Sequence, residues 1–195
     1  MKKSIVLLFI LIVFGAVILI NRGHRTIEEA IYSSNPNRVK IVYEEKTKEG
    51  SIIFSTIEGT DLLDFSLIKK NIFGKYKVDY SGTNGEMYTT LENRGILINY
   101  FPAIKKDWTP KYMGLVEDED IETIRVIQSD NQNYKENKVI NINNMKVWIV
   151  DVKGLTGSDF NIVGLSKDGK EIINMEDIIE PWTVEQEPLE AYPYY

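Results

Sequence analysis

The chain has 195 residues, 43% apolar and 27% charged, which is ordinary for a globular protein and outside the collagen-like, disordered and disulfide-framework classes. It contains no cysteine, which excludes disulfides, thiolate nucleophiles, cysteine-ligated zinc and the lipid-attachment cysteine of bacterial lipoproteins. Four of its 23 basic side chains (Lys2, Lys3, Arg22 and Arg25) precede Thr26 and none of its 29 acids does, which leaves 19 bases against 29 acids beyond that point, a net charge of −10. An acidic body argues against nucleic acid, whose phosphates demand clustered Lys and Arg, and in favour of a cationic partner or plain solubility.

The first predicted element is the seventeen-residue uncharged run from Ser4 to Ile20, preceded by Lys2-Lys3 and followed by Asn21-Arg22-Gly23-His24-Arg25. As a helix it is about 25 Å long, the short end of what spans a hydrocarbon core of about 30 Å, with Lys and Arg able to snorkel at both ends. A cleavable signal peptide is the alternative, but the run closes on Val17-Ile18-Leu19-Ile20. Phe14 also stands where a small-x-small cleavage site needs a small residue. The reading is a single transmembrane helix within an anchor of residues 1–25. The positive-inside count places the amino terminus in the cytoplasm and the body outside the cell, with the lipid bilayer as a partner through residues 4–20. Cleavage would instead yield a secreted factor.

Thr26-Ile27-Glu28-Glu29-Ala30-Ile31-Tyr32 has the pattern of a capping box opening a short helix, stopped by Ser33-Ser34-Asn35-Pro36. Strand-length apolar runs follow at Val39 to Glu45, Ser51 to Ile57, Leu62 to Ile68, Lys75 to Tyr80, Met87 to Leu91 and Gly95 to Phe101. The turn residues between them, among them Asn84-Gly85 and Asn93-Arg94-Gly95, predict an antiparallel meander. Beyond Pro102 and Pro110 come Met113 to Val116, Thr123 to Gln128, Val139 to Ile142, Met145 to Val152, and a hairpin of Asn161 to Leu165 with Glu171 to Ile173 around Lys167-Asp168-Gly169. The fold class is α+β, mostly β: one short N-terminal helix, then antiparallel meander sheets, in a composite domain of residues 26–173 with halves 26–101 and 112–173. Residues 174–195 carry six acids, no base and three of the six prolines, and read as an acidic tail.

No motif in the body specifies a reaction. His24 is the single histidine and stands beside the apolar run, which leaves no catalytic dyad or His-rich metal site. Glu117-Asp118-Glu119-Asp120 lacks the alternation and glycine of a calcium loop and reads as a solvated turn. A glycosidase pair drawn from Glu86, Glu92, Asp107 or Asp159 would need two carboxyls facing each other, which spacing alone does not establish. There is no phosphate loop, nucleophile elbow or HExxH helix. The expectation is a protein without catalysis, cofactor or metal.

Two stretches suit interaction. Lys69, Lys70, Phe73, Lys75, Tyr76 and Lys77 combine four cations with two aromatics on an acidic body, a composition that fits anionic headgroups or wall polymers. In the tail, Trp182, Tyr192, Tyr194 and Tyr195 form a candidate docking motif, and Trp148, inside Val147-Trp148-Ile149-Val150, is predicted core.

Five further stretches carry a likeness: Ile27 to Ile31, Ile68 to Gly74, Gly114 to Ile121, Val147-Trp148 and Val163 to Ile172. Through them the body resembles a group of uncharacterised, membrane-anchored or signal-bearing extracytoplasmic proteins of Bacillus-type Firmicutes. The resemblance implies a shared fold and placement rather than a reaction. The expected function is a single-pass envelope protein that binds a protein or wall polymer without chemistry; the alternative is a carboxylate-dependent wall hydrolase.

Overall fold

The computed structural model describes residues 23–104, 107–130, 132–142 and 144–178, together with residue 15. The rest of the predicted anchor, and Trp182, Tyr192, Tyr194 and Tyr195, lie outside the described residues. The described chain is mostly β, built from antiparallel sheets. No helix among the described residues is long and apolar enough to cross a membrane. Two compact units divide between Thr83 and Asn84.

In the first unit, Thr26 caps helix α1 (Ile27–Ile31) by accepting from the Glu29 amide at 3.1 Å. The Glu29 carboxylate accepts from the Arg25 amide at 2.8 Å, so the reciprocal half of the predicted cap closes one residue early. A 3-10 turn at Pro36–Arg38 leads into β1 (Val39–Lys46), β2 (Ser51–Ile57), β3 (Leu63–Lys70) and β4 (Tyr76–Asn84), a four-stranded meander in chain order. Phe54 stands opposite Phe65 across β2 and β3, with ring centroids 4.8 Å apart, and Tyr43 of β1 packs on Phe54 at 5.9 Å. Ile52 to Ser55 and Leu63 to Ile68 are buried at successive positions, so the centre of this sheet is covered on both faces. In β3 the second buried face is polar, with Asp64 and Ser66 alternating between Leu63, Phe65 and Leu67.

The second unit overturns part of the predicted meander. Residues Met87–Arg94 form helix α2 instead of a strand. Tyr88, Thr89 and Thr90 favour strand by propensity, but Met87 and Leu91, four apart, share one helical face. Gly95, at φ 70°, takes the left-handed position after the helix and donates its amide to the Leu91 carbonyl. Asn93-Arg94-Gly95 is therefore a helix stop rather than a hairpin turn. Glu86 opens the helix in the left-handed region at φ 55°, ψ 42°, with no capping hydrogen bond from its side chain.

In consequence β5 (Ile96–Phe101) does not extend the first sheet; it pairs with β6 (Lys111–Val116). The remaining strands are β7 (Thr123–Gln128), β8 (Tyr134–Lys138), β9 (Ile140–Ile142), β10 (Met145–Asp151), β11 (Asp159–Leu165) and β12 (Glu171–Ile178). They form two four-stranded antiparallel sheets, β5-β6-β10-β9 and β12-β11-β7-β8. One core serves both sheets, with Tyr112, Trp148 and Val150 from the first and Ile124, Val126, Phe160 and Ile162 from the second. Trp148 is fully buried, as its apolar neighbours predict, and its indole N–H donates to the Leu115 carbonyl at 3.2 Å. The Tyr112 hydroxyl donates to the Asp177 carboxylate at 2.7 Å and so ties β6 to β12 across the two sheets. Burial, the adjacent Asp177 charge and this hydrogen bond push the Tyr112 phenol well above its usual range and keep it neutral.

Two further strand boundaries differ from expectation. β8 is exposed at all its positions and carries no apolar alternation, so its sequence gives no strand signal. It is held by cross-strand pairs: Arg125 meets Glu136 at 2.7 Å and lies over the Tyr134 ring at 4.5 Å. β12 runs on to Ile178, five residues into the predicted acidic tail, because Asn174 to Ile178 continue the ladder against Asp159 to Val163.

Candidate functional site

The predicted basic-aromatic residues all fall on one hairpin of the first unit. Its turn is built around Asn71, whose side-chain oxygen accepts from the amides of Phe73 and Lys75, each at 2.9 Å. The Asn71 amide donates to the Lys75 carbonyl at 2.8 Å, and Gly74, at φ 76°, donates to the Asn71 carbonyl at 2.9 Å. This is an Asx-type turn closed by the one residue that takes positive φ without strain. It holds two apolar side chains in water: Ile72 is 85% exposed and Phe73 48%.

Cations surround that tip. Lys70 and Lys77 are exposed and Lys75 partly so, while the Lys70 ammonium lies 4.9 Å from the centre of the Tyr76 ring. Lys69 pairs with Asp79 at 3.2 Å, and the Asp79 side chain is only 7% exposed, so Lys69 serves the fold more than the surface. The residues that follow the apolar run are strapped alongside: the His24 amide donates to the Tyr76 carbonyl at 2.8 Å and the Tyr76 amide to the His24 carbonyl at 2.9 Å. Gly23 makes this approach possible. A Cβ there would stand 2.8 Å from the Tyr76 carbonyl oxygen and 2.9 Å from Lys75 Cβ.

The second unit holds a cleft of about 620 Å³ that sequence reading missed. Its apolar lining comes from Met87 and Leu91 of α2, Leu115 and Val116 of β6 and Met145 of β10, with Tyr88, 67% exposed, among the lining residues. The exposed carboxylates of Glu117, Glu119 and Glu122 also line it. Lys146 reaches the same cleft, but its ammonium is engaged by the carbonyls of Asp118, Glu119 and Ile121 at 3.3, 2.7 and 2.8 Å. The cation thus fixes the loop after β6 and leaves the negative field of the acids at the opening.

No family model, curated protein or solved structure matches this chain.

The candidate glycosidase carboxylates are spread over separate elements. Glu86 precedes α2 and Glu92 lies within it, Asp107 lies in the loop between β5 and β6, and Asp159 starts β11, where its carboxylate accepts from Ser158 Oγ at 3.4 Å. Within the run Glu117-Asp118-Glu119-Asp120, the Asp118 carboxylate caps its own turn by accepting from the Asp120 amide at 2.8 Å. Among the described residues no three His, Asp or Glu side chains are grouped to hold a metal ion. The cleft escaped the sequence because its wall is α2, read as a strand. Its signal was Met87 and Leu91 four apart, followed by Gly95. For the hairpin, the overlooked sign was Ile72: an apolar pair between Asn71 and Gly74 is out of place in a solvated turn.

Proposed function

We propose that this chain is a membrane-tethered extracytoplasmic binding module, held by residues 4–20 with its amino terminus in the cytoplasm, that captures a cationic segment of an envelope partner in the cleft of its second unit. One observation carries the reading: the cleft joins an apolar lining to three carboxylates, and its lysine is already committed to backbone carbonyls. A basic side chain entering there gains a charge partner for its head and an apolar wall for its stem, which is how Lys and Arg bury themselves. The strained left-handed Glu86 at the head of the helix that lines the cleft is in keeping with such a site. The net charge of −10 beyond Thr26 adds long-range attraction for the same partner.

The test is a titration of the full chain, reconstituted in lipid nanodiscs, with a fluorescent amphipathic Lys/Leu peptide. Changing Glu117, Glu119 and Glu122 together to Gln is expected to weaken binding by roughly tenfold, about 1.4 kcal/mol, and to flatten its dependence on salt. Equal affinity for the triple variant and the parent would overturn the assignment. The anchor has its own check: the full chain must stay with the membrane fraction through high salt and alkaline carbonate.

A further inference from the structure

We infer that the tip of the β3–β4 hairpin is a second membrane contact, seating Ile72 and Phe73 in the interface of an anionic bilayer with Lys70, Lys75 and Lys77 against its headgroups. The inference deepens the anchor reading and rests on it.

Three independent features converge on this occupant. The first is shape: the tip presents two apolar side chains outward on a turn whose backbone is fixed by Asn71 and Gly74, so their exposure is built in rather than left by a loose loop. An apolar pair this exposed on a fixed turn is a surface made for a partner. The second is charge. The flanking lysines form the basic patch of an acidic chain, and a basic collar around an apolar wedge matches an anionic headgroup layer over hydrocarbon.

The third is position along the chain. His24 is bonded in both directions to Tyr76 at the base of the hairpin. Ile20, the last residue of the apolar run, precedes His24 by four residues, and four residues reach at most about 14 Å even fully extended. If the run ends at the membrane surface, the base of the hairpin is held within that reach of it, comparable to the thickness of one headgroup layer plus its approach. Phe73 is three residues from Tyr76. The strap therefore keeps the tip within about 25 Å of the surface along the chain, near enough to reach the interface. Gly23 is the residue that permits the strap, since any side chain there would collide with Tyr76 and Lys75.

The absence of native cysteine makes the experiment clean. The full chain carrying Phe73→Cys, labelled with an environment-sensitive fluorophore, is reconstituted in nanodiscs of phosphatidylcholine with or without phosphatidylglycerol. Glu58→Cys, at the exposed β2–β3 turn on the opposite end of the same sheet, is the reference. The expected result is a blue shift at position 73 and several-fold stronger quenching by shallow spin-labelled lipid than at position 58. The effect should be larger with phosphatidylglycerol and reduced when Lys70, Lys75 and Lys77 are changed to Gln. A variant with Gly23→Val, its strap broken, should lose much of the quenching while remaining in the disc fraction.

A probe at 73 that stays in water while the chain is retained in the discs overturns the inference and leaves the anchor standing. A chain that does not partition into the discs overturns the anchor itself. An equal shift on soluble polyphosphate without lipid would reassign the lysines to a polymer and also overturns the membrane contact.

Discussion

Lys111 is buried to 9% exposure, and its ammonium meets the Asp151 carboxylate at 2.6 Å and Thr109 Oγ1 at 2.7 Å. Burial alone would raise the Asp151 carboxyl. Hydrogen bonds from Lys111, Thr109 and the Lys153 amide, together with the Lys111 charge, outweigh it and hold the group below the usual carboxylate range. A lowered folded pKa contributes stability that is present above the ordinary carboxyl value and is lost as pH falls through the folded one. Asp151→Asn should therefore destabilise the protein at neutral pH by about 1 kcal/mol, a modest figure because the carboxylate is half exposed. The gap from the parent should begin to narrow near the ordinary carboxyl value of about 3.9 and close only below the lowered folded value, where the parent carboxyl is neutral in both states. Urea melts at pH 7 and at acid pH check this, and a gap that widened on acidification would contradict it. None of this was legible in sequence, since Lys111 and Asp151 are forty positions apart and only the β6–β10 register sets them opposite each other.

Elements differ in how much of them their own residues determine. The meander β1 to β4 was readable because turn residues separate strongly apolar runs, and the β11–β12 hairpin because Asp168-Gly169 demands a tight turn: Gly169 sits at φ 82°. α2 was not, because local strand propensity outvoted a two-residue helical face. The residue at its N-cap also bears strain: Glu86 occupies a conformation that suits Asn or Gly. Glu86→Asn is expected to raise unfolding stability by about 0.5–1 kcal/mol, read as a shift in urea midpoint at unchanged slope.

β6 owes its place to a missing side chain. A Cβ on Gly114 would stand 1.8 Å from the Leu97 carbonyl oxygen and 3.2 Å from the Trp148 ring, so Gly114→Ala must push β5 and β6 apart or eject the indole. A loss of about 3 kcal/mol, with Trp148 fluorescence shifting to the red as it meets water, is the expected outcome. An alanine variant as stable as the parent would refute this packing. A glycine inside an apolar strand hints at a close approach, but only the pairing of β5 with β6 shows that Leu97 makes it.

At the scale of the whole molecule, composition and charge pattern reach furthest. The uncharged run from Ser4 to Ile20 with basic flanks, the acidic remainder and the absence of cysteine are properties of the one-dimensional chain, and the expectations of an anchor, a cationic partner and no disulfide need nothing more. The mostly antiparallel β character was likewise legible, because alternation and turn chemistry act over a few residues. The tertiary structure decided which strands pair, where the chain divides into units and which surfaces face outward. β5 left the first sheet for β6, β8 gained its place from cross-strand partners, and β12 extended by its ladder. Both candidate surfaces depend on such long-range choices: the cleft needs α2, β6 and β10 together, and the hairpin tip needs His24 brought to Tyr76. Sequence determines the energies of short segments, whereas a site arises where segments distant in the chain are forced to share a core, and that selection is made by packing.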